Sequence, residues 1–309
     1  MAWLLTSADL ERALPMVDAI EAVEGALAER AARTMVSPAR TVFQIPPSAV
    51  TITPGGLRDR GVVGFRAYLW GGSRDQLTAV WNFSDGRLEG VIVGSELGEI
   101  RTGAIGGAAC RRMAPAAPRR VGVIGGGRQA HAQLLALRVV RPSISEVRVY
   151  RRDPDRRRET AARWAMETGL DVQATETAEE AVRGADVVLL ATNSATPVVK
   201  VEWLAPGAHV NSLGPKYSDR TEIGMDLIEG ADVLACDYPE QYRREEDFLL
   251  HGTPHLARMQ DLAELPATPR MAGTRSVFLS HGLAGTEVAV AQRAFENARR
   301  DGIGTSFTP

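Results

Sequence analysis

The chain has 309 residues, beyond the size at which single hydrophobic cores stop growing, so two domains are expected. Apolar residues make up 44% and the formal net charge is −2, which excludes a disordered chain and gives no reason to expect nucleic acid or an anionic membrane as partner. The N-terminus carries Asp9 and no basic run, so it does not read as a signal peptide, and no apolar run approaches the roughly 20 residues that span a bilayer; a soluble, cytoplasmic protein is expected.

In chain order, the opening segment reads as a helix that Thr6 or Ser7 can cap, with Leu10, Leu14 and Val17 at helical spacing. A second helix begins near Asp18 and carries Ile20, Val23 and Leu27 on one face. From Arg40 to Val93 the pattern changes to short β-rich runs, "TVFQI", "VVGFRAYLW", "LTAVWNF" and "LEGVIVG". Glycine and Asp-Gly turns separate them, which favours an antiparallel sheet. "ELGEIRTGAIGGAACRRM" returns to helix, and "APAAPRR", Ala114 to Arg120, is the most linker-like stretch. Strand-like "RVGVIGG", "EVRVYRR", "ADVVLLAT", "HVNSLG" and "ADVLACD" then alternate with helix-like runs, the rhythm of a parallel sheet built from βαβ units. A last helix runs from Gly282 to Arg300, with Ala289, Val290 and Phe295 on its buried side. The expected class is α/β: a Rossmann dinucleotide-binding domain over 116–284, and an α+β substrate-binding and dimerisation domain from 1–115 with 285–309.

The strongest local signal is "RVGVIGGGRQAHAQLLAL". A β-branched run feeds Gly125-Gly126-Gly127-Arg128-Gln129-Ala130, a G-x-G-x-x-A turn between a strand and a helix. Gly125 permits the tight turn, Gly127 lets backbone N–H groups approach a pyrophosphate, and Ala130 allows close helix-strand packing. The helix N-terminus brings partial positive charge to the phosphate. Arg128, Gln129, Thr102 of "RTG", Thr192 and Asn193 after "ADVVLLA", and Leu213 of "NSLG" complete the candidate cofactor set.

The end of the second strand selects the cofactor. A carboxylate there would bind the ribose 2′-hydroxyl of NAD. The strand runs instead into Arg151 and Arg152, whose guanidinium groups suit a 2′-phosphate, so NADP(H) is favoured over NAD(H). Asp153 comes one or two positions late, and Arg156 to Arg158 are expected on a solvated helix face. On the substrate side Arg40, Arg66 and Arg101 have apolar neighbours. Arginines are expensive to bury unpaired, so these form either a carboxylate socket or structural ion pairs.

Nearly end to end, the sequence resembles the ornithine cyclodeaminase/mu-crystallin family. "SELGEIRTGA", the glycine loop, "TPVVKVEWLAPGAHVNSLG" and "SHGLAGTEVAVAQRAFENA" carry the resemblance. It implies a homodimer, a Rossmann domain holding NAD(P), and a substrate carboxylate held by Arg40 and Arg101. Three positions depart from the cyclodeaminases. Their catalytic aspartate is Lys216 here, their glutamate before a Met-Pro segment is Thr51, and a substrate-binding lysine is Arg66. Cyclodeamination needs a carboxylate base to manage its protons. Its loss points to open redox chemistry: an NADPH-dependent imine (ketimine) reductase or amino-acid dehydrogenase on a small carboxylate-bearing substrate. Arg40, Arg66, Arg101 and Thr51 are the substrate-binding candidates. Arg66 and Lys216 are the catalytic ones, with Lys216 as proton donor or anion clamp rather than a solvated charge. The alternatives are an amino-acid cyclodeaminase, with Lys216, Asp219 or Glu222 as base, or a non-catalytic NADPH- and ligand-binding protein.

Cys110 and Cys236 lie far apart without metal-ligand spacing, and glycine and proline between His251 and His255 disfavour a helical metal pair, so no metal is expected. His131 is expected to face solvent or the cofactor. Structural roles are expected for the histidines, with His281 the exception nearest the active site. Glu287 matches a position where the family often has aspartate.

Overall fold

A computed structural model describes residues 1–69, 75–271 and 273–309. It divides into two compact units, 1–104 with 283–309 and 105–282. The division falls inside a helix, ahead of the Ala114–Arg120 stretch where the sequence places it. The second half of that helix belongs with the nucleotide unit: Arg112 Nε donates to the Leu265 carbonyl at 3.2 Å.

The first unit opens with β1 (Ala2–Thr6), α1 (Ser7–Ala13) and α2 (Met16–Ala31). There follow β2 (Met35–Val36), β3 (Thr41–Ile45), β4 (Ser48–Leu57), β5 (Val62–Leu69), β6 (Leu77–Asn82), β7 (Leu88–Val93) and α3 (Glu96–Met113). The expected opening helix is therefore a strand followed by a short helix. Thr6 caps that helix in a reciprocal box with Asp9, and Leu14 already lies past its end. Strand β1 exists because it lies between β7, parallel, and the C-terminal strand, antiparallel. Strands β4 to β7 form the expected antiparallel meander. The last residue of "VVGFRAYLW", Trp70, lies outside the described residues.

The second unit contains β8 (Arg120–Ile124), α4 (Arg128–Val140), β9 (Glu146–Tyr150), α5 (Pro154–Thr168), β10 (Asp171–Ala174), α6 (Ala178–Val182) and β11 (Val187–Leu190). It continues through β12 (His209–Ser212), α7 (Met225–Glu229), β13 (Val233–Cys236), α8 (Pro239–Arg244), β14 (Gln260–Asp261) and β15 (Ser276–Leu279). The strands pair in parallel in the order β10-β9-β8-β11-β12-β15-β13-β14. This is the doubly wound sheet that the alternation predicts. Its central strands β11, β12, β13 and β15 are buried on both faces, as helices on each side require. The chain returns to the first unit with α9 (Thr286–Asp301) and β16 (Thr305–Phe307). Helix α9 lies against α2 and strands β4 to β7, with Ala289, Val290 and Phe295 buried as expected. Among the described residues no helix is long and apolar enough to cross a membrane.

One arginine of the basic run is not on a solvated face. Arg157 is 2% exposed, donates to Glu176 and stacks its guanidinium over Tyr150. A cation with an apolar stem is accommodated there because both terminal nitrogens have acceptors and the stem packs on apolar surface.

His209 on β12 is buried, with Nδ1 2.8 Å from Ser276 Oγ and Nε2 2.7 Å from Asn211 Oδ1. Burial pulls its pKa down to about 3, against partial support from the Asn211 hydrogen bond. The unfolded chain binds this proton near about pH 6.5, while the folded chain resists it. Stability from this group is therefore complete above pH 6.5 and is lost as pH falls toward 3. The urea midpoint of the wild type is expected to drop more steeply between about pH 6.5 and 5 than that of His209→Gln. Equal slopes in that window would refute the assignment.

Candidate active site

The nucleotide cradle is built by the turn from β8 into α4. Gly125 adopts φ +112°, a conformation that side chains rarely tolerate, and its N–H donates to the Tyr150 carbonyl at 3.0 Å. A Cβ there would meet the Ala191 carbonyl oxygen at 2.2 Å. At Gly127, which caps α4, a Cβ would meet nothing within 4 Å, so the turn is open at the approach to the helix N-terminus. Ala130 is fully buried, and Arg128 is exposed on the first turn. Gln129 Oε1 is buried without a hydrogen-bond partner among the described residues. A cavity of about 500 Å3 is lined by Gly125, Gly126, Arg151, Arg152, Thr192 and Asn193, among others. Open glycine backbone, a helix N-terminus and an orphaned polar atom fit a dinucleotide.

The charges at the far end of this cavity are already sorted. Asp153 caps α5 and accepts from the backbone of Asp155 and Arg156, at 3.0 and 3.1 Å. Arg151 packs over the glycine turn, donating to Thr160 Oγ1 at 2.9 Å and the Gly126 carbonyl at 3.3 Å. Arg152 and Arg156 are exposed at the cavity's edge.

The first unit brings the arginines together. Arg66 on β5 and Arg101 on α3 both reach Oε1 of Glu287 on α9, Arg66 at 3.8 Å and Arg101 in a short ion pair. Glu287 is 1% exposed. Gly98 makes room: a Cβ there would lie 2.5 Å from the Arg66 guanidinium. Gln76 accepts from Arg66 Nε at 2.9 Å. Burial, then the neighbouring Arg101, lowers the Arg66 pKa, while Glu287 raises it and Arg40 lowers it further. Arg40 is thus electrostatically part of the cluster, though half-exposed ahead of β3. Thr51 is buried on β4, and its neighbour in alternation, Thr53, pairs in register with Arg66. Period-two alternation puts Thr51, Thr53 and Arg66 on one face. Arg101 Nε is buried and has no hydrogen-bond partner among the described residues. Thr102 Oγ1 donates to the Gly98 carbonyl one turn back.

In the loop after β12, Lys216 is a buried group. The side chain is 1% exposed, which excludes a solvated charge. Its ammonium donates to the backbone carbonyls of Gly214 at 2.7 Å and Ser280 at 3.0 Å. Burial pulls its pKa down to about 8, resisted by Glu222 and Asp237. Leu213 N–H completes its β11 pairing at 2.9 Å. Asp219 is exposed, whereas Glu222 is buried. Asp237 of β13's following turn was not anticipated, because only the sheet order brings it to His281. His281 itself is half-buried among Tyr242 and Phe248, with ring centroids at 4.7 and 4.3 Å. His131 on α4 lies 2.8 Å from Glu167 and stacks on Trp164.

The second unit holds a cradle that fits a dinucleotide, and the first holds a cluster of arginines around Glu287. A rat protein (Rattus norvegicus), ketimine reductase mu-crystallin, is 30% identical over 215 residues, covering 69% of this chain and 66% of that protein. Delta(1)-pyrroline-2-carboxylate reductase of Bacillus cereus is 30% identical over 232 residues, covering 72% and 71%. The solved Thermococcus litoralis Delta(1)-pyrroline-2-carboxylate reductase, in complex with NADH and L-proline, superposes with TM-score 0.87 at 26% identity over 99% of this chain and 100% of that one. The model of the ornithine cyclodeaminase/mu-crystallin family matches residues 2–302, and the chain belongs to that family.

Proposed function

We propose that this chain is an NADPH-dependent ketimine reductase, or the reverse amino-acid dehydrogenase, acting on a small carboxylate-bearing substrate. The broad class, an NAD(P)-dependent oxidoreductase of carbon–nitrogen bonds, is that of the reductases it resembles. The observation that carries the reading is on the loop after β12. Where cyclodeaminases hold a catalytic aspartate, this chain has a lysine spent on two backbone carbonyls. The nearby Glu222 has both oxygens occupied by donors from Thr192, Ser212 and Gly214. Glu222 therefore has no free oxygen, and a lysine held on two carbonyls is not the carboxylate base that ring closure and ammonia loss use.

NADPH, when bound, supplies a hydride to the imine carbon. Arg101 and Arg66 hold the adjacent carboxylate, with Arg40 adding to the positive potential and Thr51 shaping the same sheet face. The cationic site also favours the carboxylate form of the substrate over its neutral acid. The glycine turn receives the pyrophosphate, with Arg128, Gln129, Thr192, Asn193 and Leu213 around it. A homodimer suits the exposed apolar residues Val42, Phe43 and Ile45 of β3.

The test is NADPH oxidation over a panel of 2-oxo acids with ammonia or alkylamines. Turnover supports the reading. Ammonia release from ornithine or lysine with catalytic NAD and no net NADH would make it a cyclodeaminase, and binding without turnover a carrier.

The cofactor preference rests on Asp153 being used as a helix cap while Arg151 and Arg152 stay beside the cavity. Arg152→Ala is expected to weaken NADPH binding about ten-fold and leave NADH within about two-fold, the loss of one charge-assisted contact. A wild-type Kd for NADH equal to or below that for NADPH would overturn the preference.

A further inference from the structure

Four neighbouring strands, in the order β11-β12-β15-β13, end in loops joined by one buried charge cluster. After β11, Thr192 donates its N–H and Oγ1–H to Glu222 Oε2, both at 2.8 Å. At the end of β12, Ser212 Oγ and the Gly214 N–H donate to Oε1 at 2.8 and 2.6 Å. Lys216 then ties the Gly214 carbonyl to that of Ser280, the residue after β15. Asp237, after β13, accepts from the N–H groups of His281 and Gly282 at 2.8 Å each and from Ser280 Oγ at 3.3 Å. Glu222, Lys216 and Asp237 are 0%, 1% and 0% exposed.

Each ion of this set loses its hydration and is compensated by fixed hydrogen bonds and by the opposite charge beside it. Removing the cation takes the shared countercharge from two buried carboxylates whose hydrogen bonds hold these loops. Parallel α/β sheets bind ligands beyond the carboxyl ends of their strands, where all these loops lie. Thr192, one of the groups held, lines the nucleotide cavity.

We propose that Lys216 is a positioning residue: between Glu222 and Asp237 it locks the loops after β12 and β15, so that Glu222 holds Thr192 fixed for the dinucleotide, and it does not itself meet the substrate. This role rests on the dinucleotide reading above. It replaces the proton donor and the anion clamp with a third assignment for the same side chain.

The experiment uses the full chain with Lys216→Met, which keeps the stem and removes the charge. NADPH Kd, measured by fluorescence titration, is expected to rise about ten-fold, the scale of a lost hydrogen bond to a charged group. Substrate KM at saturating NADPH should stay within about two-fold. Adding Glu222→Gln should cost less in the Lys216→Met background than alone, because the pair shares one charge balance. Without any cofactor, amide hydrogen exchange at Thr192, Gly214, His281 and Gly282 should accelerate in Lys216→Met. Should wild type bind no dinucleotide, the function proposed above fails, yet this exchange measurement still decides the clamp: faster exchange supports it, unchanged exchange refutes it. An unchanged NADPH Kd with raised substrate KM would make the lysine an anion clamp. An unchanged Kd with a lost alkaline limb in the pH profile of kcat would make it a proton donor. Either result overturns the proposal. If Lys216→Met does not fold, Glu222→Gln alone must weaken NADPH about ten-fold and speed exchange at Thr192 and Gly214; failure on both counts is equally decisive against it.

Discussion

Replacing Arg101 with methionine is expected to lower kcat/KM by about a hundred-fold or more, most of it as a rise in substrate KM. The reason is the charge arrangement around one carboxylate. Arg101 and Arg66 both reach Glu287 Oε1, so a single negative charge answers two guanidinium groups. Arg40 adds to the same positive field. The repulsion between Arg66 and Arg101 persists in the free chain and is relieved when an anion arrives. The buried Nε of Arg101 is a ready donor for that anion. Methionine keeps the stem and removes the fork. Glu287 still has Arg66 at 3.8 Å, so the variant does not leave that carboxylate without a cation. Folding is therefore expected to survive, which a thermal melt can verify. Arg101→Lys should recover only part of the loss, since a point charge cannot reproduce a planar fork. NADPH affinity should stay within about two-fold, because Arg101 lies in the first unit and the glycine turn in the second. A large loss of NADPH affinity with substrate KM intact would remove Arg101 from the socket.

The parts of this site that the sequence disclosed are those whose chemistry is local. The glycine turn lies within a few consecutive residues between a strand and a helix, so spacing alone specified both its conformation and its ligand class. The α3 helix and the antiparallel strands were likewise visible as period and turn signals. What stayed hidden depends on partners distant in the chain. The strand β1 forms because β7 and β16 flank it, and its five residues carry too little periodicity to show this. Strand β15, "SVFL", is as short, yet its place between β12 and β13 brings Ser280 to Lys216 and Asp237 to His281. Nothing in the spacing of residues 216, 222, 237 and 280 indicates that they meet. The basic run after β9 failed for a related reason. Its Arg157 is buried because Glu176, in the turn between β10 and α6, is there to receive it. Counting arginines could not separate that one from its exposed neighbours.

Two glycines of the same turn are expected to fail in different ways when replaced by alanine. Gly125→Ala should abolish measurable NADPH binding, a loss of about a hundred-fold or more, and destabilise the chain by about 1–3 kcal/mol, the cost of a side chain held in a sparsely allowed backbone region. At φ +112° the new Cβ would sit 2.2 Å from the Ala191 carbonyl oxygen. Neither group can yield separately: Gly125 N–H is held by Tyr150 O at 3.0 Å, and Ala191 N–H by Ile124 O at 2.9 Å. The strand end and the following loop must part, and the cradle opens with them. Gly127→Ala should leave the unfolding midpoint unchanged, because φ −85° and ψ −178° suit any residue and the Cβ meets no atom within 4 Å. Its methyl would nevertheless project where a pyrophosphate approaches the N–H groups of α4. NADPH should therefore bind about ten-fold more weakly, through displacement of one close backbone contact. Binding by Gly127→Ala equal to wild type would show that the phosphate does not approach this glycine. A Gly125→Ala chain that melts and binds as wild type does would place the dinucleotide elsewhere altogether.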